Sequence, residues 1–132
     1  LIRAYYFNKM PKTLRHEFSE KFDLSPNTIK NKLYREENPN TYLATFARFL
    51  IENKSDEYFK EIIFKGLERF IDYQILQYDD FSKDDIHYVG SVAFYLQDEI
   101  TRIGKKYNLK TGRFIKRPIE GLVEYHKRNI LK

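Results

Sequence analysis

Apolar positions in the first eighty residues recur at helical spacing. Leu14, Phe18 and Phe22 fall four apart behind Pro11, a residue suited to a helix's first position. Ser25-Pro26 reads as an N-cap and first-turn proline, with Ile29 and Leu33 facing inward. Asn38-Pro39-Asn40 interrupts the pattern, and Leu43, Phe46, Ala47, Leu50 and Ile51 resume it. A break at residues 53–55 precedes the longest predicted helix, which carries Phe59, Ile62, Ile63, Leu67, Phe70 and Ile71. Ser55 is its expected cap, and Asp56 and Glu57 suit the positive end of its dipole.

The texture then changes, so the chain is read as a helical segment over residues 1–82 and a βαβα unit over 83–132. Ile86-His87-Tyr88-Val89 is a short strand-like run that ends at Gly90-Ser91. Val92, Leu96, Ile100, Ile103 and Tyr107 follow as one helical stripe, which Asn108 stops. A second strand reads through Arg113-Phe114-Ile115-Lys116. Pro118 opens the last helix, with Ile119, Leu122, Val123, His126 and Ile130 on one face. Strand–helix–strand at this length implies a crossover and a parallel pair. Two strands make a poor sheet by themselves, which predicts neighbours from outside this chain. The opening, Leu1 to Phe7, has no Met and already looks helical, which predicts that something precedes it. The fold class is therefore α/β, rich in helix.

Composition narrows the chemistry. With 42% hydrophobic and 33% charged residues among 132, the chain can bury a core and cover a hydrated surface. It has no cysteine, which excludes disulfides, thiolate metal sites and Cys nucleophiles. That usage suits a reducing compartment, and a cytoplasmic location is the expectation. No apolar run reaches the roughly 20 residues of a membrane helix. The net charge of +5 is spread among acids, so it builds little local field.

One turn carries a chemical suggestion. At Val89-Gly90-Ser91-Val92 a strand ends, a glycine turns the chain, and Ser91 is placed to cap a helix. Backbone N–H groups at a helix start favour anions, and glycine lets a ligand approach the main chain. Ligands also gather beyond the carboxyl ends of parallel strands. Taken alone, those residues fit an ordinary capped turn better than a ligand site. The pairs Asp79-Asp80 and Asp84-Asp85 read as solvated loop carboxylates, and His16, His87 and His126 are too scattered to share a metal.

The wider segments shift the balance. Ile86 to Tyr95 resembles the adenosine motif of BadF/BadG-type ATPases, which include N-acetylglucosamine kinases of the sugar kinase/heat-shock protein 70/actin superfamily. Gly112 to His126, with its Pro118-Ile119-Glu120-Gly121-Leu122-Val123-Glu124-Tyr125-His126 ending, is similar to the sequel of that motif. Tyr42 to Phe49 is similar to the helical stretch that comes earlier in the family. The resemblance implies the C-terminal lobe of a ribonuclease H-like ATPase fold, with a helical insert before the βαβα unit. It implies ATP with Mg²⁺ between two lobes and phosphoryl transfer to a sugar hydroxyl. On this reading Gly90 and Ser91 meet the adenosine and α-phosphate, and Val92 and Phe94 line the same pocket. The phosphate loop, the catalytic base and the metal ligands are expected outside this chain, in a missing N-terminal lobe. A homodimer is a common arrangement among such kinases, and the sequence leaves oligomeric state open.

A second reading competes. Leu24 to Arg35 has the look of a DNA recognition helix, supported by the helix from Leu14 to Phe22, a helix-turn-helix over residues 14–35. The pattern departs at Asp23, where the turn commonly has Gly, and at Lys32, where a buried residue belongs. Nucleic acid is therefore the disfavoured partner.

Overall fold

The computed structural model describes residues 1–130. The chain separates into two compact units, one over Leu1–Lys60 and one from Glu61 onward.

The first unit is helical: α1 (Ile2–Tyr6), α2 (Lys12–Lys21), α3 (Pro26–Tyr34), α4 (Pro39–Glu52) and the start of α5 (Glu57–Gln74). The four-residue spacing along α2 does what it predicts, since Leu14 and Phe18 are buried and Phe22, just past the helix end, is half-buried. Phe18 is completely enclosed. Its ring lies 5.1 Å from that of Phe22, 5.6 Å from Phe46 and 5.2 Å from Phe49. Phe49 in turn meets Phe59 edge-on at 5.7 Å. Tilted and edge-to-face pairs of this kind add about 0.5–1.5 kcal/mol each beyond burial. Ser25 caps α3 as predicted, its hydroxyl accepting the Thr28 N–H, with Pro26 in the first turn. The cap of α5 is not the expected Ser55. The Asp56 carboxylate accepts the Tyr58 N–H at 2.9 Å, and the helix starts one residue later. Asp56 serves both cap and dipole, so the serine is redundant.

The second unit holds the rest of α5, then β1 (Ile86–Val89), α6 (Ser91–Tyr95), α7 (Gln97–Lys106), β2 (Thr111–Ile115) and α8 (Pro118–Asn129). Ile71 and Ile75 from α5 and the segment after it, Ile103 from α7, and Leu109 form its buried centre, with Ile86 and Tyr107 packed against it. β1 and β2 pair in parallel, as the crossover predicts. β2 begins at Thr111 rather than Arg113, because pairing is already set by the Ile86 N–H donating to the Lys110 carbonyl at 2.7 Å.

Two further expectations change. The stripe from Val92 to Tyr107 is not one helix. It breaks at Leu96, which ends α6 and opens α7. Leu96 is buried at that joint, and Asp98 and Glu99 occupy the first turn of α7, a helix-start signal that the apolar stripe concealed. The apolar face of α8 also exists, but it is exposed: Ile119, Leu122, Val123 and Ile130 all face outward among the described residues, and so does His126. No helix among the described residues is long and apolar enough to cross a membrane.

Candidate functional site

The carboxyl ends of β1 and β2 lie side by side. Val89 pairs with Ile115 across them, and both side chains are exposed, by 57% and 40%. On the opposite face Tyr88 is buried and its ring stacks on Phe114 at 5.0 Å, nearly parallel. Burial raises the Tyr88 phenol above its ordinary pKa.

Gly90 follows β1 with φ 119° and ψ 158°, a conformation that L side chains rarely adopt. Its N–H donates to the Ile115 carbonyl at 2.8 Å, and its own carbonyl accepts the Phe94 N–H at 3.0 Å. The glycine thus ties the two strand ends together while starting α6. A Cβ added there would meet nothing within 4 Å. The turn is open on the side where a ligand would approach.

Ser91 is not the cap that the sequence suggested. Gly90 holds that position, and Ser91 is the first helical residue, exposed. Since α6 has only five residues before the break at Leu96, the dipole at its start is small. Val92 is 45% exposed and Phe94 is half-buried. Gly90, Ser91, Val92 and Phe94 therefore sit on one short turn, with backbone rather than helix charge as their chief resource.

A residue outside that set stands beside them. Lys116 follows β2 directly, and its ammonium lies 5.6 Å from the Phe94 ring centre and 4.6 Å from that of Tyr95. In the sequence, the basic run from Lys110 to Arg117 could attract ATP phosphates but fits a solvated face better; the strand register brings Lys116 to this turn.

The strand pair also contains an irregularity. Ile86 pairs with Thr111 but Tyr88 with Phe114, so two residues of β2 face one of β1. His87 fills the gap: its Nδ1 accepts the Arg113 N–H at 2.9 Å. Gly112 makes room, since a Cβ there would lie 2.5 Å from that Nδ1. A glycine inside a strand run is the sequence signal for such a bulge.

The remaining candidates are dispersed. Asp80 pairs with Lys83 in the loop before β1, and His16 faces Glu20 at 3.4 Å on the surface. Among the described residues no group of three or more His, Cys, Asp or Glu could hold a metal ion. Helices α2 and α3 both form, but within the segment read as a recognition helix Thr28 donates its hydroxyl to Asp23 at 2.7 Å, and Lys32 binds Glu36 at 2.9 Å. Asp23 also accepts the Ser25 N–H. The bond from Thr28 and then that from Ser25 hold its carboxyl below the ordinary value, so a carboxylate stands at the start of α3.

The chain is helix-rich and closed by a parallel crossover, with an open glycine turn at its carboxyl edge. No protein-family model matches the chain, and no curated protein does. Among solved structures it is similar to a "Putative N-acetylglucosamine Kinase" from Porphyromonas gingivalis, with a TM-score of 0.83 and 27% identity. That match covers 97% of this chain and 45% of the other, so the chain spans less than half of its neighbour's length. The resemblance carried by Ile86 to Tyr95 and Gly112 to His126 is borne out by this neighbour, and the coverage is consistent with a C-terminal portion of such a kinase.

Proposed function

We propose that this chain is part of an ATP-dependent sugar kinase of the N-acetylglucosamine kinase type, the C-terminal lobe of a ribonuclease H-like fold, and that it supplies the adenosine side of the cleft. The observation that carries this reading is the match over 97% of the chain to the Porphyromonas gingivalis protein. The open Gly90 turn at the carboxyl edge of a parallel pair supports it, because that is where ligands bind in such sheets.

Phosphoryl transfer is mainly positioning and charge stabilisation. In this reading the chain positions. The Gly90 and Ser91 backbone lies against the nucleoside and its first phosphate, and Val92 and Phe94 give the apolar wall. Mg²⁺ neutralises the phosphates when bound. Its ligands, and the base that takes the sugar hydroxyl proton, belong to the N-terminal lobe of the same protein. The exposed apolar face of α8 fits a chain that packs against further structure, as that lobe would provide.

The test is isothermal titration of ATP and N-acetylglucosamine into the full-length protein and its Gly90→Val variant. The variant should lose nucleotide and keep sugar. Nucleotide affinity unchanged by Gly90→Val would remove the site. Tight, steeply salt-dependent binding of duplex DNA would favour the helix-turn-helix reading instead.

A further inference from the structure

Six lysines, Lys21, Lys32, Lys60, Lys65, Lys83 and Lys106, give their ammonium groups to carboxylates, and Lys110 donates to the Lys83 carbonyl. Lys116 is held differently. Two ring faces of α6 fix its ammonium, at 5.6 Å and 4.6 Å, and among the described residues no acid or carbonyl binds it. A ring face orients a cation without cancelling its charge, and it accepts none of the ammonium's three N–H bonds in the ordinary sense. Lys116 therefore keeps its charge over the two rings and is still able to donate.

Its position gives that charge a use. Ile115, the residue before it, accepts the Gly90 N–H at 2.8 Å, so Lys116 leaves the sheet beside the glycine turn. A ligand that lies along Gly90 and reaches Phe94 also reaches the lysine over Phe94. The five-residue α6 offers little dipole of its own, so an anion at this turn needs another source of positive charge. We infer that Lys116 is a specificity-determining residue of the nucleotide site, donating to the phosphate nearest the nucleoside, and that Phe94 and Tyr95 serve to position it. This inference rests on the nucleotide reading above.

The experiment is titration of ATP, ADP and adenosine into the full-length protein, comparing wild type with Lys116→Gln and Lys116→Arg, each checked for an unchanged melting temperature. A charge-assisted hydrogen bond is worth a factor of about 10 or more in affinity. Lys116→Gln should weaken ATP and ADP by about that factor and leave adenosine unchanged, while Lys116→Arg recovers most of the loss. The salt dependence of ATP binding should become shallower in Lys116→Gln alone. If ATP and adenosine weaken together, Lys116 only braces α6 and the inference fails. Unchanged ATP affinity also overturns it. Wild-type protein that binds neither ATP nor adenosine removes the nucleotide reading and the inference with it. Loss of both ligands in Gly90→Val, with selective loss in Lys116→Gln, supports both.

Discussion

Replacing Gly112 with alanine tests how the strand pair is built. The new Cβ would lie 2.5 Å from His87 Nδ1 and 2.6 Å from its Cε1, closer than real Cβ atoms approach. The imidazole is exposed, so it can swing away, and the bond it accepts from the Arg113 N–H is then lost. A protein hydrogen bond contributes about 0.5–1.5 kcal/mol net, and displacing a ring from its rotamer adds about as much. Working the other way, alanine for glycine restricts the unfolded chain and stabilises by about 0.4–1 kcal/mol. The balance is a net destabilisation of about 1 kcal/mol. In a His87→Ala background the obstacle and the bond are both gone. The same Gly112→Ala change should then be neutral or stabilising. The contact to Asp85 Cβ at 3.3 Å is common to both backgrounds and cancels in the comparison. Urea unfolding of the four proteins, compared by midpoint at constant slope, measures the coupling. A midpoint shift from Gly112→Ala that is the same with and without His87 would refute the account.

Two further outcomes follow from Tyr88 and from the carboxylates of the helical unit. The Tyr88 hydroxyl is buried with no hydrogen-bond partner among the described residues, so Tyr88→Phe should stabilise the second unit by about 1 kcal/mol in thermal or urea unfolding; a comparable loss would refute this. Asp23 and Glu52 are both held below their ordinary carboxyl values, Asp23 chiefly by Thr28 and Glu52 chiefly by Lys21 and then Arg48. A lowered folded pKa gives stability that is complete above the ordinary value and is lost as pH falls through the lowered one. The helical unit should therefore lose these contributions as pH falls below the ordinary carboxyl range, with Asp23 titrating below 3.8 by carboxyl NMR, and Asp23→Asn should flatten that part of the acid limb.

Much of this architecture is legible in periodicity. The Leu14, Phe18 and Phe22 spacing, the Ser25-Pro26 start and the parallel crossover all appear where the residue pattern puts them, because each follows from local geometry and one buried face. What the pattern conceals is competition between signals. Val92, Leu96 and Ile100 are spaced as one helix, yet the acidic pair Asp98-Glu99 opens a new one at Leu96, and the period alone cannot rank the two. For α8, period marks an apolar face without saying that the face is covered. The sequence reading starts the second strand at Arg113 and so passes over the bulge at Gly112, whose reason, an imidazole from the other strand, depends on register. Lys116 is legible only as part of a basic run that could attract phosphate, and its placement depends on register. Its neighbours Phe94 and Tyr95 lie more than twenty residues away in sequence and meet it only when the strands pair in parallel.

That pairing alters the physical basis of the glycine turn. A long helix beginning at Gly90 would present the equivalent of about half a positive charge to a phosphate. The observed helix is five residues long, and its cap is a glycine with no side chain to donate. The attraction from the backbone is correspondingly local, limited to the N–H groups that a ligand can touch. Lys116 brings a full charge to the same edge, held against two rings instead of an acid. If the turn binds a nucleotide, the backbone at Gly90 recognises shape by allowing close approach, and the lysine recognises charge. Those two contributions are separable, since Gly90→Val obstructs every ligand of the turn and Lys116→Gln affects only the anionic ones.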